Sequence, residues 1–173
     1  MTALARTLTR VTRGLALIAA LAAAGCEEPD LTLPTDAQVA EYFSATRIAS
    51  ATMEGNVAEI TIAQSPDQLR RGGRIWAQVG PYIYLFSDPT LSLFRDFGGL
   101  AGVRVVTTVG TAEVARATLP RTSLNELTWK RALNVAGRAR LEGGERITLL
   151  EDLIIFGEDH TEFRYNERYT RRR

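Results

Sequence analysis

The chain has 173 residues but only one cysteine, Cys26, and one histidine, His160. A lone cysteine cannot close a disulfide within the chain, so the fold has to be held by its core. A lone histidine cannot complete the paired-histidine sets of zinc sites, and no His-Glu-x-x-His stands in the sequence. There is no Gly-x-Ser-x-Gly elbow to expose a nucleophilic serine, and no Gly-x4-Gly-Lys-Ser/Thr loop to cradle phosphates. The sequence thus names no catalytic residue, no metal ligands and no cofactor. Charge of one sign is not in excess, with 21 Lys and Arg against 20 Asp and Glu. That balance gives no reason to expect nucleic acid as a partner. The apolar run Gly14 to Gly25 has twelve residues, short of the about twenty that a membrane-spanning helix needs.

What the sequence does contain begins at its N-terminus. Arg6, Arg10 and Arg13 make a positive segment, Leu15 to Ala24 is apolar, and small residues crowd the positions before Cys26. These are the parts of a secretory signal peptide over residues 1–25. Ala23-Ala24-Gly25-Cys26 resembles the lipobox of bacterial lipoproteins, with Ala23 where leucine is commoner. The resemblance implies that the Cys26 thiol takes a diacylglyceryl group and becomes the new N-terminus, which makes the lipid bilayer a partner. Each buried methylene contributes about 0.8 kcal/mol, so several acyl chains anchor where one is marginal. Glu27 rather than aspartate follows the cysteine, and the same resemblance then favours the outer membrane, with the domain facing the periplasm. An ordinary secretory signal with an incidental cysteine is the alternative.

Taking 25 residues from 173 leaves 148, a common size for one domain with its own core. The signal holds three of the basic residues and none of the acidic ones, so the remainder carries 18 positive against 20 negative, a net of −2. Residues 26–35 read as a lipidated cysteine and an acidic, proline-interrupted tether. At about 3.3 Å per residue it would hold the domain up to roughly 30 Å from the lipid. Residues 36–170 are then a single α+β domain, and 171–173 a basic tail of three arginines able to meet anionic headgroups or simply to stay solvated.

Along the domain, Thr35-Asp-Ala-Gln38 is a capping box before a short helix from Asp36 to about Ser44. A hairpin is expected from Ile48 to Met53 and from Val57 to Ala63, turning at Glu54-Gly55-Asn56. Ser65 to Gly73 reads as a polar loop. Ile75 to Val79 and Tyr82 to Phe86, separated by Gly80-Pro81, read as two buried strands. Asp88-Pro89 starts a helix that Gly98-Gly99 closes. Val103 to Val109 and Ala112 to Leu119 form a second hairpin. Leu127 to Leu141 alternates like a strand, yet the Ser123 to Glu126 capping box and the face of Trp129, Ala132, Leu133 and Ala136 favour a helix. Another helix follows the Thr148 to Glu151 cap and ends at Gly157, and Thr161, Phe163 and Tyr165 mark a half-buried last strand.

The expected architecture is an antiparallel sheet of five to seven strands packed by three or four helices. Its candidate binding residues fall in two groups. Arg70, Arg71 and Arg74 flank Gly72-Gly73, where guanidinium groups and free amides can hold an anion. Trp76, Tyr82 and Tyr84 would present an aromatic docking face if the strand reading holds and nothing covers them. The acidic stretch around His160 is either a polar loop or, with Asp159 and Glu162, a source of nitrogen and oxygen ligands for a metal or a carboxylate-oriented general base, although its spacing matches no ligand motif. Three function classes follow: a membrane-anchored envelope lipoprotein binding an envelope protein or cell-wall partner without catalysis, an envelope enzyme using His160, and a structural subunit of a membrane complex.

Overall fold

Alternation of apolar and polar residues gives this chain its sheet, and periodic apolar stripes give it the layer above. The computed structural model describes residues 30–171. Helix α1 (Asp36–Tyr42) is held by the expected capping box, in which Thr35 Oγ1 accepts from Gln38 N and Gln38 Oε1 accepts from Thr35 N. Strands β1 (Ser50–Glu54) and β2 (Val57–Ala63) form the first hairpin, with Gly55 in the left-handed conformation its turn requires. Helices α2 (Pro66–Leu85) and α3 (Asp88–Asp96) follow. Strands β3 (Gly102–Val109) and β4 (Ala112–Pro120) form the second hairpin. A 3-10 turn over Arg121–Ser123 leads to α4 (Glu126–Glu142) and α5 (Ile147–His160). Strand β5 (Glu162–Tyr165) and the short α6 (Glu167–Thr170) complete the domain.

The sheet is open, in the order β1-β2-β3-β4-β5. Three neighbouring pairs are antiparallel and one, β2 with β3, is parallel. The result is a single α+β domain with a mostly antiparallel, mixed sheet.

The parallel pair has one cause. Residues 75–79 and 82–85 are not strands but the body of α2, and Phe86 caps its C-terminus. Parallel neighbours cannot be joined by a tight turn, and α2 with α3 supplies the crossover that a parallel pair needs. Gly80-Pro81 does not stop this helix: Pro81 lies within it, and Gln64 Nε2 donates to Trp76 O one turn away. The real interruption is Gly73, at φ 56° and ψ −140°, where the helix changes direction.

One sheet face carries Ala58, Ile60 and Ile62 of β2, Val103 and Val105 of β3, and Ala117 and Leu119 of β4, all buried. Helix α2 crosses β3 and β4 on that side, and α4 and α5 pack against α2. The opposite face is a charged lattice: Arg104 donates to Glu54 at 2.7 Å, to Glu59 at 3.1 Å and to Thr118 at 3.1 Å. An antiparallel sheet with one face packed and one wet has this composition. The C-terminal strand is less buried than its alternation suggests, since β5 pairs only with β4 and forms an edge.

Candidate functional site

Helices α4 and α5 frame the one place where the lone histidine meets other polar groups. Segment 127–141 is helical, and its cap is Asn125 rather than Ser123: Asn125 Oδ1 accepts from Thr128 N at 2.9 Å, and Thr128 Oγ1 accepts from Asn125 N at 2.8 Å. Alternation in this stretch is incidental, for Trp129, Ala132, Ala136 and Ala139 lie on one buried stripe. Helix α5 begins without a side-chain cap and runs past Gly157 to His160. The acidic stretch is therefore the last turn of a helix, not a loop.

A groove of about 300 Å³ lies between these helices, lined by Arg131 and Val135 on one side and Asp152, Ile155, Phe156, Asp159 and His160 on the other. His160 is partly buried. Its Nδ1 donates to Phe156 O at 2.8 Å, and its ring stacks on Phe156 at 4.3 Å between centroids. The carbonyl can only accept, so Nδ1 carries a proton and the ring's other nitrogen, Nε2, is the one turned to other partners. The Arg131 guanidinium lies 5.5 Å from the Phe156 ring centre. Ile155 is 60% exposed, which puts an apolar side chain beside the charged ones. An imidazole, two carboxylates, a guanidinium and an apolar neighbour can hold a polar side chain or a small polar ligand.

A second constellation gave no local signal, because its members are far apart in the chain. Tyr82 of α2 and Tyr165 of β5 share a hydrogen bond of 2.6 Å, and Tyr165 donates to Glu158 of α5 at 2.9 Å. Burial pushes the Tyr82 phenol up to about 12, and burial together with the Tyr82 contact raises Tyr165 as well. Both phenols therefore stay protonated and act as a latch between three elements. Beside them Glu113, Arg164, Tyr165 and Asn166 line a hollow of about 290 Å³. Its polar groups are largely spent on each other: Glu113 is bonded by Arg116 and by Arg164 at 3.2 Å, and Asn166 donates to Glu113 O at 2.7 Å. The Arg116 contact, with that of Arg164, holds the Glu113 carboxyl below its ordinary range.

The residues expected to form an aromatic docking face do not share one. Two positions along a helix turn the side chain by about 200°. Tyr82 and Tyr84 accordingly diverge, Tyr82 being fully buried and Tyr84 half-buried with Trp76. Tyr82 belongs to the core, stacked on Phe86 and pressed against Gly157. The three arginines are not on a loop either. Arg70, Arg71 and Arg74 lie exposed along the first half of α2, about the Gly73 break, and Arg70 is paired with Asp67.

Cys26 and the signal-like segment lie outside the described residues. The last part of the expected tether is described, and it is not free. Gly99 N donates to Thr32 O at 2.9 Å, Gly98 N to Asp30 Oδ2 at 3.3 Å, and Pro34 is buried. A Cβ on Gly98 or Gly99 would run into the backbone of Asp30 or Leu31, so two glycines are required for this seat.

Among the described residues, no group of three His, Cys, Asp or Glu side chains is placed to hold a metal ion, and no helix is long and apolar enough to cross a membrane. No protein-family model matches the chain, and neither a curated protein nor a solved structure does.

Proposed function

We propose that this chain is a lipid-anchored protein of the bacterial cell envelope whose folded domain is a non-catalytic binding or accessory module. The observation that carries the reading is Cys26, the only cysteine, placed directly behind an arginine-bearing apolar segment. A folded domain that begins within a few residues of that cysteine fits an anchor-and-module layout. Glu27 favours the outer membrane, with the domain in the periplasm, and the partner is another envelope protein or the cell wall. The groove of Arg131, Ile155 and Asp159 is the surface assigned to that partner. Its mixture of exposed apolar and charged groups resembles the rim-and-centre make-up of protein interfaces.

Cys26→Ser tests the anchor. The variant is expected to accumulate as precursor, to take up no fatty-acid analogue and to leave the detergent phase. Labelling equal to wild type would refute it. A photo-cross-linking side chain at Ile155 tests the groove, and capture of one defined envelope partner is the expected result.

A second reading, an envelope enzyme using His160, draws on the free Nε2 in a groove that also holds two carboxylates. Loss of a measured activity in His160→Ala, with partner capture intact, would favour it. A partner that never exchanges would instead favour a structural subunit.

A further inference from the structure

We infer that the domain stands on the membrane with its Asp30–Gly98 end down, and that Leu31 and Leu33 rest in the lipid interface. The inference depends on lipidation of Cys26 as proposed above. Between Cys26 and the seated residue Asp30 there are only four peptide steps. At full extension of about 3.5 Å per residue, Asp30 cannot be more than about 14 Å from the anchored cysteine. The seat then transmits that restraint to the whole domain. Asp30 and Thr32 are bonded to the Gly98 and Gly99 amides, and this turn leads directly into the start of β3.

The same end collects the β1–β2 turn, since Ala101 N donates to Asn56 O, and the end of β4, since Gly102 pairs with Pro120. The far end of the sheet is the Gly110 turn, across the eight residues of β3. At about 3.3 Å per residue that is roughly 23 Å away, beyond the reach of the short tether.

Two leucines sit where this geometry puts the bilayer. Leu31 is 74% and Leu33 43% exposed, although both belong to a segment fixed to the domain. The backbone of that segment is held by the glycine seat while its leucine side chains face outward. Apolar side chains at this height enter the interface between headgroups and acyl chains, and each buried methylene strengthens the attachment. The exposed arginines of α2 follow Gln64, whose amide is bonded to Thr108 O at the far end of the sheet. Arg168 and Arg171 leave β5 from Tyr165, which pairs with Ala115, again toward the far end. Headgroup contact by these arginines is therefore not the expected attachment.

The test uses the lipidated protein in vesicles of phosphatidylethanolamine and phosphatidylglycerol. With the Cys26 thiol acylated, a second cysteine takes an environment-sensitive fluorophore selectively. Leu31→Cys and Thr111→Cys, both at exposed positions, report on the two ends. The expected result is loss of fluorescence at position 31 with a lipid-borne quencher and none at 111. Equal quenching of both, or quenching of 111 alone, in protein that floats with the vesicles overturns the orientation and leaves the anchor standing. Failure to float or to carry a fatty-acid label overturns the anchor, and the orientation with it. Circular dichroism matching wild type confirms that each labelled variant is folded.

Discussion

Tyr82 is the residue whose replacement separates a core role from a docking role most cleanly. Its ring is fully buried, stacks on Phe86 with centroids 6.2 Å apart, and lies against Gly157 on α5. Its hydroxyl reaches Tyr165 at 2.6 Å. Removing the whole side chain leaves a cavity between two helices that can only partly collapse, and Tyr82→Ala is expected to cost about 3–5 kcal/mol. Tyr82→Phe keeps the ring and loses only the hydroxyl, while Tyr165 retains Glu158 as acceptor. That change is expected to cost about 0.5–1.5 kcal/mol. A domain of this kind has about 5–15 kcal/mol in hand, so the alanine variant loses a large fraction of it. Gly157 completes a cycle. A methyl group there would press into the Tyr82 ring, so Gly157→Ala should cost about 1–3 kcal/mol by overpacking. In the Tyr82→Ala background the same methyl enters the cavity and should cost much less. Urea denaturation of the four proteins, read as midpoints with a common slope, measures the coupling. Additive costs, or a Tyr82→Ala variant as stable as wild type that no longer captures a partner, would refute the core assignment.

The other expectations are narrower. Asn125→Ala removes the α4 cap and should cost about 1 kcal/mol in urea midpoint, against little for Ser123→Ala, and the reverse order would return the cap to Ser123. Ala132→Pro, at a fully buried position within α4, should cost about 3 kcal/mol or more through the lost amide bond and the ring clash; a normal midpoint would contradict the helix. Glu113 titrates below its ordinary value of 4.5 in the folded chain, mainly because Arg116 bonds the carboxylate. A depressed folded value means that the stabilisation is complete above 4.5 and drains away as pH falls toward the folded value. Glu113→Gln should therefore flatten the acid side of the stability–pH curve, and an unchanged slope in that variant would remove Glu113 from the account.

Most of the sheet could be read from the chain because alternation is a local signal. Both hairpins, with their glycine turns at Gly55 and Gly110, stand where the pattern puts them. Helix α4 was legible through its apolar stripe, even though the cap lies two residues beyond Ser123. The lipidation expected at Cys26 lies outside the described residues. The failure lies in residues 75–86, where nearly every position is apolar and periodicity loses its contrast. A helix buried on most sides and a buried strand then look alike, and length has to decide between them. Gly80-Pro81 argued for two short pieces. In the fold Gly80 is instead a contact glycine, close to Gln64 and Thr107, and Pro81 is accommodated inside the helix.

That single substitution of helix for strand carries the rest of the topology with it. Had Ile75–Val79 and Tyr82–Phe86 been strands, β2 would run on through a meander and every pair could be antiparallel. As a helix, the segment must pass over the sheet, and β3 then returns parallel to β2. Tyr82 changes with it from one of two same-face tyrosines to a residue at the junction of α2, α5 and β5. The surface proposed for binding consequently moves to the groove between α4 and α5. The partners that make the Tyr82 latch lie 83 residues apart in the chain, and those of the Gly98 seat 68. No local pattern marks such pairs. They are fixed by which way α2 and α3 carry the chain, and so a reading that mistakes α2 for strands cannot find either.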